Sequence, residues 1–376
     1  MPATATKNNA SIVHIIDNSA ALTPQFVSEW RALSESARVP NAFWDPDFCI
    51  PAMTLEPNKV KIAALRNKAG AMKALAPFTM ERVMKVGPKV ACLWTHDYIP
   101  LGTPLVSADD DQAFSTLIDG IMRETGTPVI AEELKALSKL GSLANKPIES
   151  HVISQHQRAA LHSDLSGEDY RKQTLSKQRR QGLDRRYRRL IERTKHLGPL
   201  EIDLCRDADL VPSRFEAFMR LEKIGWKGGN KTSLLNNETH ATFARSIALK
   251  FAQRQSAMVA TLKAGETVLA ALALFKINGE VFSWKTTYDE NYKNCSPGTQ
   301  LLARFADPIM GKGEMVKLDS CAAPHNDIAN TLWGERESVH NVIFSNKNHS
   351  AIASAIKHAQ QLKQHAKATT KSILNR

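Results

Sequence analysis

The clearest pattern in the chain is a series of short apolar runs separated by glycine turns. Ala257–Leu262 and Thr267–Ile277 flank Lys263-Ala264-Gly265, and Asn278-Gly279 leads into Val281–Tyr288. An Asn-Gly pair between two β-rich runs favours a tight hairpin, because a primed turn needs positive φ at both central positions. These runs therefore predict a three-stranded antiparallel meander. A polar stretch, Asp289–Cys295, follows, and then Ser296-Pro297-Gly298-Thr299 opens a run with Leu301, Leu302, Phe305 and Ile309 at helical spacing. Ser at the N-cap and Pro at the first helical position mark a helix start, here predicted over 297–310. Glu314–Leu318 reads as a further strand.

The first half repeats this plan more faintly. Val60–Asn67 and Met72–Phe78 flank Lys68-Ala69-Gly70, and a helical pattern follows over about 110–123. At 376 residues the chain is long enough for two cores. The polar, turn-rich segment His162–Glu168 is the expected joint, giving an N-terminal domain over 1–165 and a C-terminal one over 166–345. A Lys-, Ala-, Gln- and His-rich tail over 346–376 reads as a basic helix.

Charge sharpens the picture at one place. The net charge is +12, and residues 171–195 hold eleven Lys/Arg against Asp184 and Glu192, a net of +9. Leu175, Leu183, Tyr187, Leu190 and Ile191 form an apolar stripe through that segment, as in an amphipathic helix. Its polar face is either a solvated surface or a seat for something acidic: CoA phosphates, an anionic lipid or tRNA. A basic excess confined to one segment does not suggest specific DNA binding. The longest apolar run, Val268–Phe275, is too short to cross a bilayer. Five scattered cysteines without a CxxC pair, and no HExxH among twelve histidines, point to neither a disulfide framework nor a metal site. The expectation is a cytoplasmic protein, peripheral at the inner membrane surface at most.

The helix start at Ser296 is the best chemical feature. A helix N-terminus offers unpaired N–H groups and a partial positive charge, which suit a phosphate, and Gly298 allows close approach of a ligand. Gly225–Thr232 comes within one residue of a P-loop, but it follows a helical pattern (Phe215, Phe218, Met219, Ile224) instead of a strand. It reads as a helix end and loop, with Trp226 as an anchor or substrate wall. Asp319 stands just past a predicted strand, with His325 in the same loop. Glu222, Lys285, Tyr288 and Asp289 lie near other element ends. No GxSxG or catalytic cysteine context is present.

Taken in order, Glu222-x-x-x-Trp226-Lys227-Gly228, Lys285-Thr-Thr-Tyr288-Asp289-Glu290-x-Tyr292, Ser296-Pro297-Gly298-x-x-Leu301-Leu302, Leu318-Asp319-Ser320-Cys321-Ala322-x-Pro324 and Leu332-Trp333-Gly334-Glu335-Arg336 resemble the CelD-like acetyltransferases. These are a branch of the GNAT superfamily related to the FemAB peptidyltransferases, and the likeness spans about 165–345. It implies an α/β (α+β) protein with tandem GNAT-like domains, each a mixed, mostly antiparallel sheet flanked by helices. The C-terminal lobe would bind acetyl-CoA or another acyl-CoA as co-substrate, with its pyrophosphate at Ser296, Pro297, Gly298 and Thr299; the N-terminal lobe would bind none. The usual GNAT phosphate loop, Arg/Gln-x-x-Gly-x-Gly/Ala, survives here only as Gly298.

The chemistry implied is acyl transfer to an amine without a covalent enzyme intermediate. Asp319 or Glu222 would act as base and Tyr288 as acid for the thiolate. Trp226, Lys227, Lys285 and His325 would contact a small-molecule or glycolipid amine acceptor, and no metal is called for. Two other readings remain: a FemAB-like transferase using aminoacyl-tRNA along helix 171–195, and a non-catalytic GNAT-fold accessory of polysaccharide or lipid export.

Overall fold

A computed structural model describes residues 12–17, 22–143, 146–312, 316–324 and 326–359, except for the side chains of residues 226, 227 and 327. The chain divides into two compact units: residues 1–46, 56–156 and 338–376 form one, and residues 47–55 and 157–337 the other.

The first unit contains β1 (Ile12–Ile16), α1 (Pro24–Ser36) and, after α2 (Pro46–Met53), β2 (Lys61–Arg66), β3 (Met72–Arg82) and β4 (Lys89–Leu93). It continues with β5 (Leu105–Val106), α3 (Ala113–Thr125) and β6 (Val129–Lys135). β1, β2, β3 and β4 pair antiparallel in that order, and β6 joins β4 in parallel at only two register positions, Ala91↔Val129 and Cys92↔Ile130. β7 (Glu149–Ser163) then carries the chain from the first unit into the second, which takes over at Gln157. The segment expected as a joint, His162–Glu168, is thus the end of a strand and the start of a helix.

The second unit opens with α4 (Gly167–Thr174) and α5 (Lys177–Thr194). The basic segment is therefore two helices, each capped by a serine: the Ser166 hydroxyl accepts from the Asp169 N–H, and Ser176 from Arg179. After β8 (Leu200–Cys205) come α6 (Val211–Ile224), the short α7 (Trp226–Gly229) and α8 (Glu238–Gln253). The meander then forms as β9 (Ala257–Ala264), β10 (Thr267–Ile277) and β11 (Glu280–Tyr288). Asn278 and Gly279 both take positive φ, 46° and 76°, as the hairpin requires. α9 (Pro297–Arg304), β12 (Val316–Asp319), α10 (Asp327–Leu332) and β13 (Glu335–Ser345) complete the series. α9 is shorter than the predicted 297–310, ending in turns after Arg304.

β8, β9, β10 and β11 pair antiparallel, β12 joins β11 in parallel, and β7 closes on β12 antiparallel. Strand alternation separates two apolar faces. Met258, Ala260, Leu262, Leu272 and Leu274 pack with Leu183 and Leu190 of α5 and with Leu301 and Phe305 next to or in α9. On the opposite face Phe275 meets Phe251 and Trp284, with Phe48, Phe215 and Phe243 around them. Burying each such side chain contributes about 1.5–3 kcal/mol, so both covering layers are firmly held.

The last strand, β13, returns to the first unit from Ser338 onward and pairs antiparallel with β6. A helix over 350–359 follows, and its Ala353 and Ile356 pack against Val90, Ile130 and Ile343. The rest of the expected tail, 360–376, lies outside the described residues. No helix among the described residues is long and apolar enough to cross a membrane.

Candidate active site

The site is built where β11 and β12 part. Their parallel pairing covers only Glu280↔Lys317, Val281↔Leu318 and Phe282↔Asp319. Beyond Phe282, β11 continues to Tyr288 along β10, with a register break between Ala273 and Leu274 that leaves Trp284 as the extra residue. A bulge of this kind bends its strand and turns it from its neighbour. The backbone of Ser283–Tyr288 is thereby left without a β12 partner on that side.

α9 begins at the mouth of this gap. Ser296 holds the N-cap position but has φ 52° and ψ 56°, and its hydroxyl makes no capping bond. A capping side chain needs an extended backbone at that residue; the left-handed turn removes it, so the serine expected to cap does not. Pro297 has no N–H, and the first-turn N–H groups of Gly298 and Thr299 have no side-chain acceptor among the described residues. A cavity of about 420 Å³ opens here. Its walls include Glu222, Thr286, Thr287, Tyr288, Lys293, Ser296, Gly298, Thr299 and Ile328. Gly298 has a packing role as well as an open backbone: a Cβ there would lie 3.3 Å from Tyr288 Cδ1.

A second cavity, about 640 Å³, shares Ser296, Thr299 and Ile328 with the first. Its far wall is α5, through Gln178, Arg179, Gly182, Arg185 and Arg186. The basic, amphipathic segment, for which CoA phosphates are one of the expected acidic ligands, thus shares a cavity with the start of α9 through one flank of α5.

The predicted residues divide into those gathered at the cavity and those kept from it. Glu222, Tyr288, Ser296, Gly298 and Thr299 line the 420 Å³ space, and Pro297 is buried behind them. Glu222 is fully buried; Oε2 accepts from the Leu234 N–H at 2.9 Å, and Oε1 lies 3.3 Å from Lys285 Nζ. Lys285 thus braces Glu222 instead of lining the cavity. Asp319 is absent from the cavity wall. It is fully buried at the end of β12, where Oδ1 accepts from the Cys321 N–H at 2.8 Å and stands 3.8 Å from Arg158 Nη1. Trp226 and Lys227 lie in α7, their side chains undescribed, and His325 lies outside the described residues. Thr286, Thr287, Lys293, Asn326 and Ile328 also line the cavity; the strand pattern of β11 could have suggested the two threonines, which directly precede Tyr288.

The near P-loop at Gly225–Thr232 forms α7 and a turn behind α6, and Gly228 is packed so closely that a Cβ would lie 1.6 Å from the Lys223 carbonyl oxygen. The Trp333–Arg336 stretch is a structural tie: the Tyr170 hydroxyl donates to Glu335 at 2.6 Å and accepts from the Gly334 N–H at 2.9 Å. His162, Glu280 and Glu337 bring potential metal-ligand atoms within 4.8 Å of one another. Lys317 stands between His162 and Glu280 in strand register, so a cation already belongs to that row.

An antiparallel meander, a parallel strand that splays from it, and an uncapped helix at the splay together frame the cavity. Residues 176–323 match the Acetyltransferase (GNAT) domain family. The matched stretch takes in α5 and the cavity-lining residues from Gln178 to Leu302. Solved structures share the wider fold. FemX aligns with 92% of this chain and 100% of its own, with a TM-score of 0.55 and 9% identity. A conserved protein of unknown function from Bacteroides thetaiotaomicron VPI-5482 covers 89% and 99% at TM-score 0.53 and 11% identity. L-PGS from Bacillus licheniformis covers 90% and 96% at TM-score 0.50 and 14% identity. At these identities the likeness is one of fold. No curated sequence matches the chain significantly.

Proposed function

We propose that the protein is an acyl-CoA-dependent N-acyltransferase of the CelD-like branch, transferring an acyl group, acetyl in the simplest case, to an amine. The observation that carries this reading is the uncapped start of α9 beside the stretch of β11 that β12 no longer accompanies. A bound acyl-CoA supplies the activated thioester. The chain supplies the rest: N–H groups of Gly298 and Thr299 for a phosphate, and the backbone of Thr286–Tyr288, beyond the reach of β12, to align and polarise the acyl carbonyl. Much of the rate enhancement then comes from positioning. Of the two carboxylates considered as base, Glu222 lines the cavity and is fixed by Leu234 and Lys285. We assign the acceptor's proton to Glu222, reached directly or through water, and the thiolate's proton to Tyr288. Asp319 is given the role of holding Arg158 and the turn at Cys321. The first unit, residues 1–156 in the main, is read as a lobe without a donor.

The acceptor is a small molecule or glycolipid amine met in the cytoplasm or at the inner membrane face. A second reading, an aminoacyl-tRNA donor, draws on a specific observation. Arg179, Arg185, Arg186, Arg188 and Arg189 of α5 have no ion pair or side-chain hydrogen bond among the described residues. Thermal-shift measurements with acetyl-CoA, longer acyl-CoAs and tRNA separate the two, since a ligand raises stability only when the folded state binds it. Stabilisation by an acyl-CoA that persists at raised salt supports the first reading. Stabilisation by tRNA alone, lost steeply with salt, replaces it with the second.

A further inference from the structure

α5 carries two sets of cations in opposite circumstances. On one flank, a cavity of about 380 Å³ is lined by Arg171, Lys172, Arg180 and Arg304 together with Glu168 and Asp184. There the charge is used by the fold. Arg304 meets Asp184 at 3.1 Å and Gln300 at 2.6 Å, Arg171 meets Asp307 at 2.5 Å, and Arg180 donates to the Lys172 and Leu175 carbonyls. On the other flank, the 640 Å³ cavity is lined by Arg179, Arg185 and Arg186 and by no carboxylate. None of the three has an ion pair or side-chain hydrogen bond among the described residues, and Arg186 Nε is shielded from solvent without a partner. Three uncompensated guanidiniums facing one concave space favour a ligand with several anionic oxygens.

Gly182 adds an independent sign. It sits within α5, where glycine is unfavourable, and a Cβ there would have nothing within 4 Å. Its missing side chain leaves the cavity wall open between Arg179 and Arg186, one turn to either side. The same cavity shares Ser296 and Thr299 with the α9 start. A ligand with one phosphate at α9 would therefore extend directly toward the arginines. The space is concave and nucleotide-sized, whereas a carrier protein or an RNA duplex would lie on the outer face of α5, where Arg188 is exposed.

We infer that Arg179, Arg185 and Arg186 are specificity residues for the donor, recognising a phosphomonoester on its nucleotide end and replacing the phosphate-loop contacts that this chain lacks. The inference rests on the acyl-CoA reading above and goes further, in making the 3′-phosphate the selected group. Calorimetry with CoA, dephospho-CoA and 4′-phosphopantetheine tests it. The parent should bind CoA at least about tenfold more tightly than dephospho-CoA, in line with charge-assisted contacts. Arg179→Gln with Arg186→Gln should abolish that preference. Gly182→Leu, which fills the cavity and favours the helix, should weaken both nucleotides and leave 4′-phosphopantetheine unchanged. Arg188→Gln should leave all three as in the parent. Equal binding of CoA and dephospho-CoA by the parent, or a preference that survives in the double variant, would overturn the inference while leaving the donor reading intact. Binding of none of the three overturns both. If the double variant loses tRNA but keeps CoA binding, the arginine wall belongs to an RNA.

Discussion

The two units follow one strand plan and differ in what lies between the strands that part. In the first, β4 and β6 are the parallel pair, as β11 and β12 are in the second. Beyond Leu93 the first unit folds its own chain into the gap. The Gly102 N–H donates to the Glu133 carbonyl at 3.1 Å, and the Lys135 N–H to Thr103 Oγ1 at 2.9 Å. Asn41 Nδ2 holds the Leu101 and Thr103 carbonyls at 3.2 and 2.8 Å. Ile99, Leu101, Thr103 and Leu105 are fully buried, and a Cβ on Gly102 would lie 2.2 Å from the Glu132 carbonyl oxygen. In the second unit the corresponding connection is only Asp289–Ser296, a short 3₁₀ turn that stops at the start of α9. The length and burial of one loop thus decide whether a shared framework is plugged or open.

The comparison can be broken most sharply at Thr299. An acid in the first turn of a helix stabilises it, so Thr299→Glu should fold at least as well as the parent. It should lose donor affinity by about a hundredfold or more by setting a carboxylate against phosphate. Undiminished acetyl-CoA binding in calorimetry would remove α9 from the site. Next, Glu222→Gln should lower kcat by roughly 10²–10⁴ with donor affinity preserved, whereas Asp319→Asn should instead lower stability, by about 3 kcal/mol, through the buried Arg158 it leaves behind. A stable Asp319→Asn with collapsed kcat would exchange their roles.

The plugged side has its own test. Leu101→Ala should cost about 2–5 kcal/mol in chemical denaturation, and the calorimetric stoichiometry should remain one donor per chain. Two donors per chain, in the parent or the variant, would end the contrast. The smallest effect concerns Tyr170, whose phenol is pushed above its usual range first by burial and then by its bond to Glu335. A raised folded pKa gives stability that is intact below the unfolded pKa of about 10 and is lost as pH rises beyond it. Tyr170→Phe should cost about 1–2 kcal/mol at neutral pH and should flatten the alkaline decline in melting temperature above about pH 10.

Much of this framework was readable from residues, and the reasons are local. The turn at Asn278-Gly279, the alternation along β9 and β10, and the Ser-Pro start of α9 are each decided by neighbours in sequence. What was not readable depends on tertiary partners. Asp319 sits at a strand end, where it could have faced the cavity or the interior; the position of Arg158 on β7 draws it inward. The apolar stripe of α5 shows which face is buried, but not that Arg179 and Arg186 stand on the flank beside α9. The run Phe305–Ile309 has helical spacing, yet α9 stops at Arg304 and turns follow; Pro308, which lacks an N–H and disfavours the helical region at Asp307, is the local signal that the apolar spacing hides. The return of β13 to β6 could not be inferred from an order of elements that places it after the second meander.

That return has a bearing on synthesis. The unit that emerges first from a ribosome lacks the neighbour of β6 until Ser338–Ser345 has been made, whereas almost everything in the second unit is already available by Glu337. Domains usually mature in the order of translation, and pairings distant in sequence form slowly. Here the order of synthesis lets the second unit be finished before the first, with the edge of β6 waiting as an unpaired template in the meantime.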